Sequence, residues 1–398
     1  MPSQPDGTLG PRISYIGCWY KNDMYSHNCS NFVESLRGCG VNVDVVTSNC
    51  RCFSSAQRFD IAVDELINSD CTVIKLPHAP SNPGKKKHGV LKYLAVKLFR
   101  LDLWLAIARG VLYYRKTRSA DVIQYDQVLE AFGCIPLYML LALGGKSGRN
   151  VIVTVHEIDP FQQKHRWVNR MYGKCWKIFV YSNHMKQALL GMGVESDKVK
   201  IIKYASVIPQ LTPRPRTRYI YFGGHFILRG KGYDALLGAL EILKFRRVKV
   251  RLLLYVGHGC NGLEEAQAMA SRRGLDDVIE WGEFFTGAEL ATAYQKCKAC
   301  IIPYTSGSAR HPVTSAMANA TPVIATRAAD IPEYLGPHGI YVDGSPESIA
   351  NAISDVEAGR VDLDRLGAEL RARASSELDV RKVVDSLVAE YSAERSPA

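Results

Sequence analysis

Short apolar runs alternate with segments of helical period along most of the chain. In the first half, the runs of strand length are RISYIGCWY (12–20), VNVDVVTS (41–48), DVIQY (121–125), NVIVTVH (150–156) and KIFVYS (177–182). Helical segments lie between most of them. Alternation of apolar strands with helices is typical of a parallel sheet covered on both faces, so the pattern predicts a doubly wound α/β domain.

The alternation stops at PQLTPRPRTR (209–218), which holds three prolines and three arginines and is typical of a linker. A second series of strands then reads YIYFGG, VKVRLLLYVG, VIEWG, ACIIPY, TPVIAT and GIYV. The sequence therefore predicts two Rossmann-like domains in tandem, 11–208 and 219–375, after a disordered N-terminus at 1–10. A terminal helix at 376–394 is expected to pack back toward the first domain.

Length and charge agree with this organisation and indicate the kind of partner. A chain of 398 residues is too long for one core of ordinary size, so two or three domains are expected. The formal net charge of +11 favours an anionic partner, which is a nucleotide, a nucleic acid or a membrane surface. Nucleic acid is the least favoured of the three, because the basic residues lack a helix-turn-helix or aromatic sheet motif.

The cysteines favour a reduced compartment. They number 11, an odd count, and are scattered over strands and helices without the spacing of a disulfide scaffold. Cys297 and Cys300 form a C-x-x-C spacing with no second pair, so burial in a strand is favoured over a zinc site or a redox pair. The first residues lack the features of a signal peptide, and the apolar run at 131–143 is too short to span a bilayer. We expect a cytoplasmic protein without metal or cofactor.

Cations and apolar residues are interleaved between Lys85 and Arg118. One apolar stripe, with Leu105 and Leu112, suits packing against the sheet, and a second, with Ile107, lies on the opposite side. An apolar face ringed by cations can lie in an anionic headgroup layer, which would place the protein on the inner face of the membrane. A helix buried on both faces has the same pattern, so both alternatives stay open. The membrane hypothesis names Lys85, Lys86, Lys87, Lys92, Phe99, Arg100 and Trp104.

Two segments of the second half suit phosphate binding. In YFGGHFILRGKGYDALLGAL (221–240) a basic loop joins a strand to a helix, so Arg229 and Lys231 could neutralise a diphosphate leaving group, although a solvated basic loop fits equally well. In SGSARHPVTSAMANATPVIAT (306–326) a polar loop precedes a short helix that is expected to begin at Pro312, and helix starts bind anions. Neither a dinucleotide-binding G-x-G-x-x-G after the first strand nor a P-loop occurs, which argues against both of those classes.

His156 closes the strand VIVTVH in the first half. Ligands of open α/β sheets bind at the carboxyl ends of the strands, so this imidazole could donate a hydrogen bond into a cleft between the two domains. A capping or surface histidine is the alternative.

Six segments of the second half resemble one enzyme family in order and spacing. They are GHFILRGKGYDALLGAL, LYVGHG, VIEWGEF, ACIIPY, SAMANATPVIATRAADIPEYL and GIYVDGSPESIANAI, and the first half is similar more weakly through NVIVTVHEIDP. The family is the group 1 glycosyltransferases, glycosyltransferase family 4, with the GT-B fold of two Rossmann-like domains facing across a cleft. The resemblance implies that His156 lies by the transferred sugar and that Lys231 and Arg229 bind the donor diphosphate. His225 or Phe226 occupies the more usual place of the arginine. The matching segments place Gly223, Gly224, Gly257 and Glu283 in the donor-binding set.

The family's E-x7-E segment has lost both of its carboxylates. The two matching positions are Gly307 and Ser315. The helix start near Thr314 can still receive a diphosphate through its backbone N–H groups, and Ser315 can offer one hydrogen bond to a ribose. Losing a charge-assisted hydrogen bond costs roughly 1.5–3 kcal/mol, which weakens donor binding without abolishing it. Arg310 and His311 lie in the same loop and could bind a carboxylated sugar such as a uronic acid, or Arg310 could be a solvated loop arginine.

Two function classes follow. The first is a retaining glycosyltransferase that uses a nucleotide-sugar donor and a sugar or lipid-linked sugar acceptor, as in polysaccharide biosynthesis. The second is a glycosyltransferase-like protein that binds sugar, nucleotide or a partner without catalysis. Retention of both His156 and Lys231 favours the enzyme.

Overall fold

The computed structural model describes residues 11–16, 32–48, 71–74, 101–126, 134–144, 150–156, 158, 166–282 and 287–392. These residues form two compact units. The first contains the described residues up to Ile202 and the end of the last helix from Val384, and the second is Lys203–Val383. The predicted disordered N-terminus at 1–10 lies outside the described residues.

The first unit is built on a seven-stranded parallel sheet with the order β3-β2-β1-β4-β5-β6-β7. Its strands are β1 Arg12–Ile16, β2 Asn42–Ser48, β3 Cys71–Ile74, β4 Val122–Asp126, β5 Val151–Thr154, β6 Lys177–Val180 and β7 Val199–Ile201. Its helices with defined ends are α1 Leu101–Thr117, α2 Cys134–Leu143, α3 Arg166–Lys174 and α4 Asn183–Gly191, and residues 32–38 are also helical. The winding direction changes between β1 and β4, where ligands of such sheets bind.

The second unit repeats this winding in a six-stranded parallel sheet with the order β10-β9-β8-β11-β12-β13. Its strands are β8 Arg218–Phe226, β9 Leu252–Asn261, β10 Ile279–Gly282, β11 Cys297–Ile302, β12 Val323–Ala325 and β13 Ile340–Tyr341. Its helices are α5 Tyr233–Phe245, α6 Leu263–Arg272, α7 Gly287–Gln295, α8 Arg310–Ala318, α9 Ile331–Leu335, α10 Pro346–Glu357, α11 Leu363–Glu377 and α12 Val380–Ser392, the last of which continues into the first unit. The prediction of two doubly wound Rossmann-like α/β units is confirmed.

The sheets form because their strands are apolar enough to be covered on both faces. All four residues of β5 are buried, as are all four of β6, and Ile152 and Val153 have no exposed surface. Burying one such side chain contributes about 1.5–3 kcal/mol relative to leaving it in water. These buried strands therefore fix the edge of the sheet at which the polar residues that follow them lie.

The segments at the unit boundaries differ in detail from the sequence patterns. Residues 209–217 form no helix or strand, and they lie along the second unit, where the Arg371 guanidinium donates to the Pro209 carbonyl at 2.7 Å and Arg216 to that of Ala320 at 3.1 Å. The predicted helix at 376–394 corresponds to α12, which begins at Val380, and its first two residues belong to the end of α11.

Candidate functional site

A polar cluster lies at the carboxyl edge of the first sheet. Tyr15 lies in β1, Asp126 ends the neighbouring β4, and His156 follows β5, the next strand. The His156 Nε2 is 3.2 Å from the Asp126 Oδ1, and the Tyr15 hydroxyl donates to the Asp126 Oδ2. Because the three strands are adjacent and parallel, their last residues meet at one edge, close to the switch point of the sheet.

The His156–Asp126 pair is largely withdrawn from water. The side chain of His156 is 12% exposed and that of Asp126 is 3% exposed. The His156 backbone is placed by the preceding residue, since the Val155 N–H donates to the Phe179 carbonyl of β6 at 2.9 Å. A buried carboxylate within hydrogen-bond distance of an imidazole fixes the orientation of the ring.

Asp126 was missed in the sequence reading. The strand pattern ends with an acidic residue, VIQYD, and that polar residue at the end of a buried strand was the available signal. Asp126 also affects Tyr391 in the last helix. Burial raises the pKa of the Tyr391 phenol, and the nearby charge of Asp126 raises it further.

In the second unit, Lys231 lies in the loop between β8 and α5, close to the loop that follows β11. The Lys231 Nζ is 4.0 Å from the centroid of the Tyr304 ring and 3.5 Å from the Ser308 carbonyl oxygen. Ser308 immediately precedes the residue that caps α8, and β8 and β11 are neighbours at the switch point. In the sequence, Lys231 and the start of this helix are two separate candidate phosphate-binding elements. In the structure they lie close together.

Two glycines allow the close approach of these loops. Gly230 and Gly232 have φ of +68° and +67°, a region that favours glycine. A Cβ on Gly232 would lie 1.9 Å from the Pro303 carbonyl oxygen, and one on Gly230 would lie 2.3 Å from the Ser306 Oγ. The Thr305 N–H donates to the Gly230 carbonyl at 3.0 Å, which joins the two loops directly.

Tyr304 supports this site from within the unit. Its side chain is fully buried, and its hydroxyl donates to the backbone carbonyl of Phe222 in β8. Burial raises the pKa of the Tyr304 phenol, and the nearby Cys300 raises it further. The ring therefore offers Lys231 a neutral aromatic face, and such a contact contributes about 0.5–2 kcal/mol.

The start of α8 corrects two expectations. The helix begins at Arg310 rather than at Pro312, and the Arg310 N–H donates to the Ser308 Oγ at 3.3 Å. Arg310 is not a solvated loop residue: its side chain is 6% exposed, and its Nη1 lies 2.6 Å from the Asp330 Oδ2. The proposed pairing of Arg310 with a sugar carboxylate loses its basis, because the guanidinium is buried and already bound to a carboxylate.

The remaining predicted residues of α8 lie on its first two turns. Thr314 is buried, and its hydroxyl donates to the His311 carbonyl at 3.3 Å. His311 and Ser315 are half-buried, and the Ser315 Oγ is 3.5 Å from the His311 Nε2. Whether Thr314, Ser315 or His311 contacts a donor stays a prediction.

The other predicted donor residues lie at the ends of β8 and β9 or beyond them. Gly223 and Gly224 are in β8, where Gly224 has φ of +60° at a bulge, and Gly257 is in β9. Arg229 is exposed on the loop before Lys231. Glu283 lies outside the described residues.

The membrane hypothesis falls mostly on residues whose structure is not described. Lys85, Lys86, Lys87, Lys92, Phe99 and Arg100 lie outside the described residues. Trp104 is near the start of α1 and is 64% exposed. No helix within the described ranges is both long enough and apolar enough to cross a membrane.

The leucine stripe that the sequence predicts can be compared with α1 only at Leu112, because the side chain of Leu105 lies outside the described residues. The buried side of α1 carries Ala106, Gly110, Tyr113 and Thr117, whereas Leu112 is half-buried. Gly110 sets this side, because a Cβ there would lie 2.5 Å from the Met139 Cβ of α2. The absence of a side chain allows the two helices to approach closely.

The C-x-x-C pair lies in the core of the second sheet. Cys297 and Cys300 are both buried in β11, and burial raises the pKa of the Cys297 thiol to about 12 and that of Cys300 as well. Thiols in this state are poor nucleophiles and poor metal ligands. Among the described residues, no group of three or more His, Cys, Asp or Glu side chains could hold a metal ion.

Solved structures with the same architecture cover nearly the whole chain. Anabaena Alr3699/HepE in complex with UDP and glucose matches with a TM-score of 0.70 and 15% identity, over 97% of this chain and 100% of that one. Sucrose-phosphate synthase from Thermosynechococcus elongatus matches with a TM-score of 0.71 and 16% identity, over 96% and 98%. Two Rossmann-like units with this likeness define the GT-B fold class of glycosyltransferases.

Family models identify the chain more closely. Residues 217–358 match the model described as glycosyl transferases group 1, and residues 29–204 match that described as glycosyltransferase family 4. Together the two matches account for most of the chain. The protein belongs to the group 1 glycosyltransferases of family 4.

Curated relatives match over a limited region. The MMP alpha-(1->4)-mannosyltransferase of Mycolicibacterium hassiacum is 27% identical over 165 residues, which are 40% of this chain and 39% of the relative. A D-inositol 3-phosphate glycosyltransferase of Pseudarthrobacter chlorophenolicus is 30% identical over 169 residues, 40% of each chain. The match therefore spans about two fifths of the length of these relatives.

Proposed function

We propose that this protein is a retaining glycosyltransferase that moves a sugar from a nucleoside diphosphate sugar to a sugar or lipid-linked sugar acceptor. One observation carries the proposal: the Lys231 ammonium is held 3.5 Å from the Ser308 carbonyl, beside the start of α8. A cation and a helix start at one switch point form an environment for an anion with several oxygens. Family membership makes a nucleoside diphosphate the natural candidate.

Lys231 acts on the leaving group. As the bond between the anomeric carbon and the diphosphate oxygen breaks, negative charge grows on the diphosphate, and a fixed ammonium stabilises that charge more in the transition state than in the bound donor. Arg229 is exposed on the same loop, so it can add a second cation without disturbing the core. The first N–H groups of α8 donate to the phosphate oxygens without any particular side chain.

His156 serves the transferred sugar, as the family resemblance implies. Asp126, which itself accepts from the Tyr15 hydroxyl, holds the ring, so the imidazole can form a hydrogen bond with a sugar hydroxyl in a fixed direction. In a retaining transfer, the acceptor oxygen bonds to the anomeric carbon on the face that the diphosphate leaves. The acceptor proton passes to the departing phosphate oxygen, so the balanced products are the glycoside and the nucleoside diphosphate.

The donor nucleotide and the acceptor are proposed from separate observations. Structures of HepE contain UDP or UDP-glucose, which makes uridine the first nucleotide to test. The basic block between Lys85 and Arg118 and the exposed Trp104 support an acceptor at an anionic membrane surface. We assign no nucleic acid partner and no cofactor.

The experiment is a donor panel with release of nucleoside diphosphate as the readout. Purified protein is incubated with UDP-, GDP- and ADP-sugars, with and without lipid extract or oligosaccharide acceptors. We expect release from one donor class, and a lower release in Lys231→Ala. Retention is read from the anomeric configuration of the product by NMR, and an inverted product would contradict the mechanism.

The alternative is a protein that binds a nucleoside diphosphate sugar without transferring it. The observation that favours it is the pair Gly307 and Ser315 where the family has two glutamates. Tight binding of an intact donor with no release, across the whole panel and with acceptors present, would favour this alternative over the enzyme.

A further inference from the structure

Two polar side chains are buried in neighbouring strands of the first sheet. Gln124 in β4 and Thr154 in β5 are each 2% exposed. The Gln124 Nε2 donates to the Thr154 Oγ1 at 2.9 Å. A buried amide costs free energy unless it is hydrogen-bonded, and two apolar side chains of the same shape would stabilise the sheet equally well. The pair therefore indicates a role beyond packing.

This pair lies directly behind the His156–Asp126 pair. Asp126 is two residues beyond Gln124 in β4, and alternate side chains of a strand point to the same face. His156 follows the end of β5, two residues beyond Thr154. The two contacts cross from β4 to β5 with the same offset in the register of the strands. They form two successive layers, an inner layer of Gln124 and Thr154 and an outer layer of Asp126 and His156.

The last helix holds the inner layer. Tyr391 in α12 is buried, and its hydroxyl donates to the Gln124 Oε1. The centroid of its ring is 6.3 Å from that of Phe179 in β6, so the phenol is packed against the sheet. Because the pKa of this phenol is raised by burial and by the charge of Asp126, the hydroxyl keeps its proton and can donate. A chain of hydrogen bonds therefore runs from Tyr391 through Gln124 to Thr154.

We propose that Tyr391 and Gln124 are positioning residues of the sugar site. They fix the inner layer, so that Asp126 keeps His156 in one orientation toward the transferred sugar. The proposal rests on the proposed function, because it takes His156 to serve that sugar. A buried network of hydrogen bonds specifies one arrangement of side chains, whereas apolar contacts tolerate small shifts. Since a group that contacts the reacting sugar tolerates little displacement, a small movement of the imidazole lowers turnover.

The test measures turnover of the donor that the panel identifies, together with affinity for its nucleoside diphosphate. Tyr391→Phe removes one hydroxyl and keeps the ring. We expect kcat to fall about fivefold, the factor that one hydrogen bond contributes, and the affinity for nucleoside diphosphate to stay unchanged. In a His156→Ala background the same substitution should lower kcat no further, because the hydroxyl acts through the imidazole.

A matched control lies next to Tyr391 on the same helix. The buried Lys177 ammonium donates to the Glu390 carbonyl at 2.5 Å and lies 2.6 Å from the Glu390 Oε2. Lys177→Met therefore loosens α12 outside the inner layer, so it should lower the Tm and leave kcat unchanged well below the unfolding temperature. Adding Gln124→Met to Tyr391→Phe removes the amide that has lost its donor, so this double change should recover stability but not kcat.

A readout that does not need turnover separates this proposal from the proposed function. In the NMR spectrum of protein with isotope-labelled histidine, the signal of His156 is identified by its loss in His156→Ala. Tyr391→Phe should shift that signal, and Lys177→Met should not.

Three results overturn the positioning proposal. They are an unshifted His156 signal in folded Tyr391→Phe, equal losses of kcat in Tyr391→Phe and Lys177→Met, and a loss of kcat on Tyr391→Phe that persists in the His156→Ala background. A wild type that releases no nucleoside diphosphate from any donor overturns the proposed function instead, and the histidine signal still tests the contact between the two layers.

Discussion

The Lys231 ammonium lies 4.0 Å from the centroid of the buried Tyr304 ring, in the loop beside the start of α8. If Lys231 stabilises the departing diphosphate, Lys231→Ala should lower kcat/KM by about 10²-fold or more. The steady-state rate of nucleoside diphosphate release measures this effect. Lys249→Ala removes an exposed lysine of the same unit and should leave the rate unchanged. A folded Lys231→Ala protein with the wild-type rate would refute the assignment.

A substitution of Gly232 tests whether the contact between the Lys231 loop and the loop after β11 supports the site. Gly232→Ala places a methyl group 1.9 Å from the Pro303 carbonyl oxygen, so the loop that carries Lys231 must move. Gly274→Ala is the matched control, because Gly274 has a similar φ of +63° but no atom within 4 Å of the added Cβ. Both variants carry the backbone strain of about 1 kcal/mol, and only Gly232→Ala carries the collision.

The readouts for this pair are urea denaturation and the transfer rate. We expect Gly274→Ala to lose a little stability and no activity, and Gly232→Ala to lose more of both. Equal effects of the two variants would show that the loop contact has no special role.

The His156–Asp126 pair makes a different prediction. His156→Ala should lower turnover and leave the affinity for nucleoside diphosphate nearly intact, because the imidazole serves the sugar and not the phosphates. Asp126→Asn should lower turnover in the same way but less, since the amide can still form a hydrogen bond with the ring but holds its orientation less firmly than a carboxylate does. The exposed His184 of the same unit supplies the control variant His184→Ala. If His156→Ala weakens diphosphate binding as much as it lowers turnover, His156 has a structural role.

The sequence could predict the fold because the strands of both sheets are short apolar runs that cannot be left in water. β5 and β6 show this most clearly, since every residue in them is buried. Lys231 and His156 could be placed at strand ends for the same reason, because the end of an apolar run is visible in one sequence. β3, Cys71–Ile74, was missed because four residues give too little pattern to separate a strand from a loop.

The sequence alone could not predict which distant side chains form pairs. Asp126 meets His156 across the register of β4 and β5, where Asp126 pairs with Thr154. The sequence predicted a loop position for Arg310. It could not show the buried ion pair, because the partner carboxylate of Asp330 lies 20 residues further along, after β12. Burial of a charge depends on such partners, so local pattern cannot reveal it.

The Arg310–Asp330 pair should stabilise the second unit. Both side chains are almost fully buried, and the Asp330 Oδ1 has no hydrogen-bond partner among the described residues. Arg310→Ala leaves the Asp330 charge buried alone, so we expect a loss of about 3–5 kcal/mol in the free energy of unfolding. Replacing both residues with leucine should recover much of that loss.

Urea denaturation measures these values, and an exposed pair supplies the comparison. The Arg360 guanidinium pairs with Asp355, and the two side chains are 62% and 47% exposed. Arg360→Ala should therefore cost at most about 1 kcal/mol. A similar cost for Arg310→Ala would contradict the buried pairing.

Trp104 gives the membrane hypothesis a described residue to test. Its side chain is 64% exposed on α1, on a helix whose opposite side is buried against α2 through Gly110. An exposed indole next to a basic segment suits the interface of an anionic bilayer, where each nearby Lys or Arg contributes about 1 kcal/mol. We expect the protein to co-sediment with vesicles that contain phosphatidylglycerol, and to be released by salt. Trp104→Ser and the triple change of Lys85, Lys86 and Lys87 to Glu should each weaken binding, whereas Phe245→Ser, which removes a 90% exposed aromatic of the second unit, should not. Protein that stays in the supernatant at low salt would exclude this surface and favour a soluble acceptor.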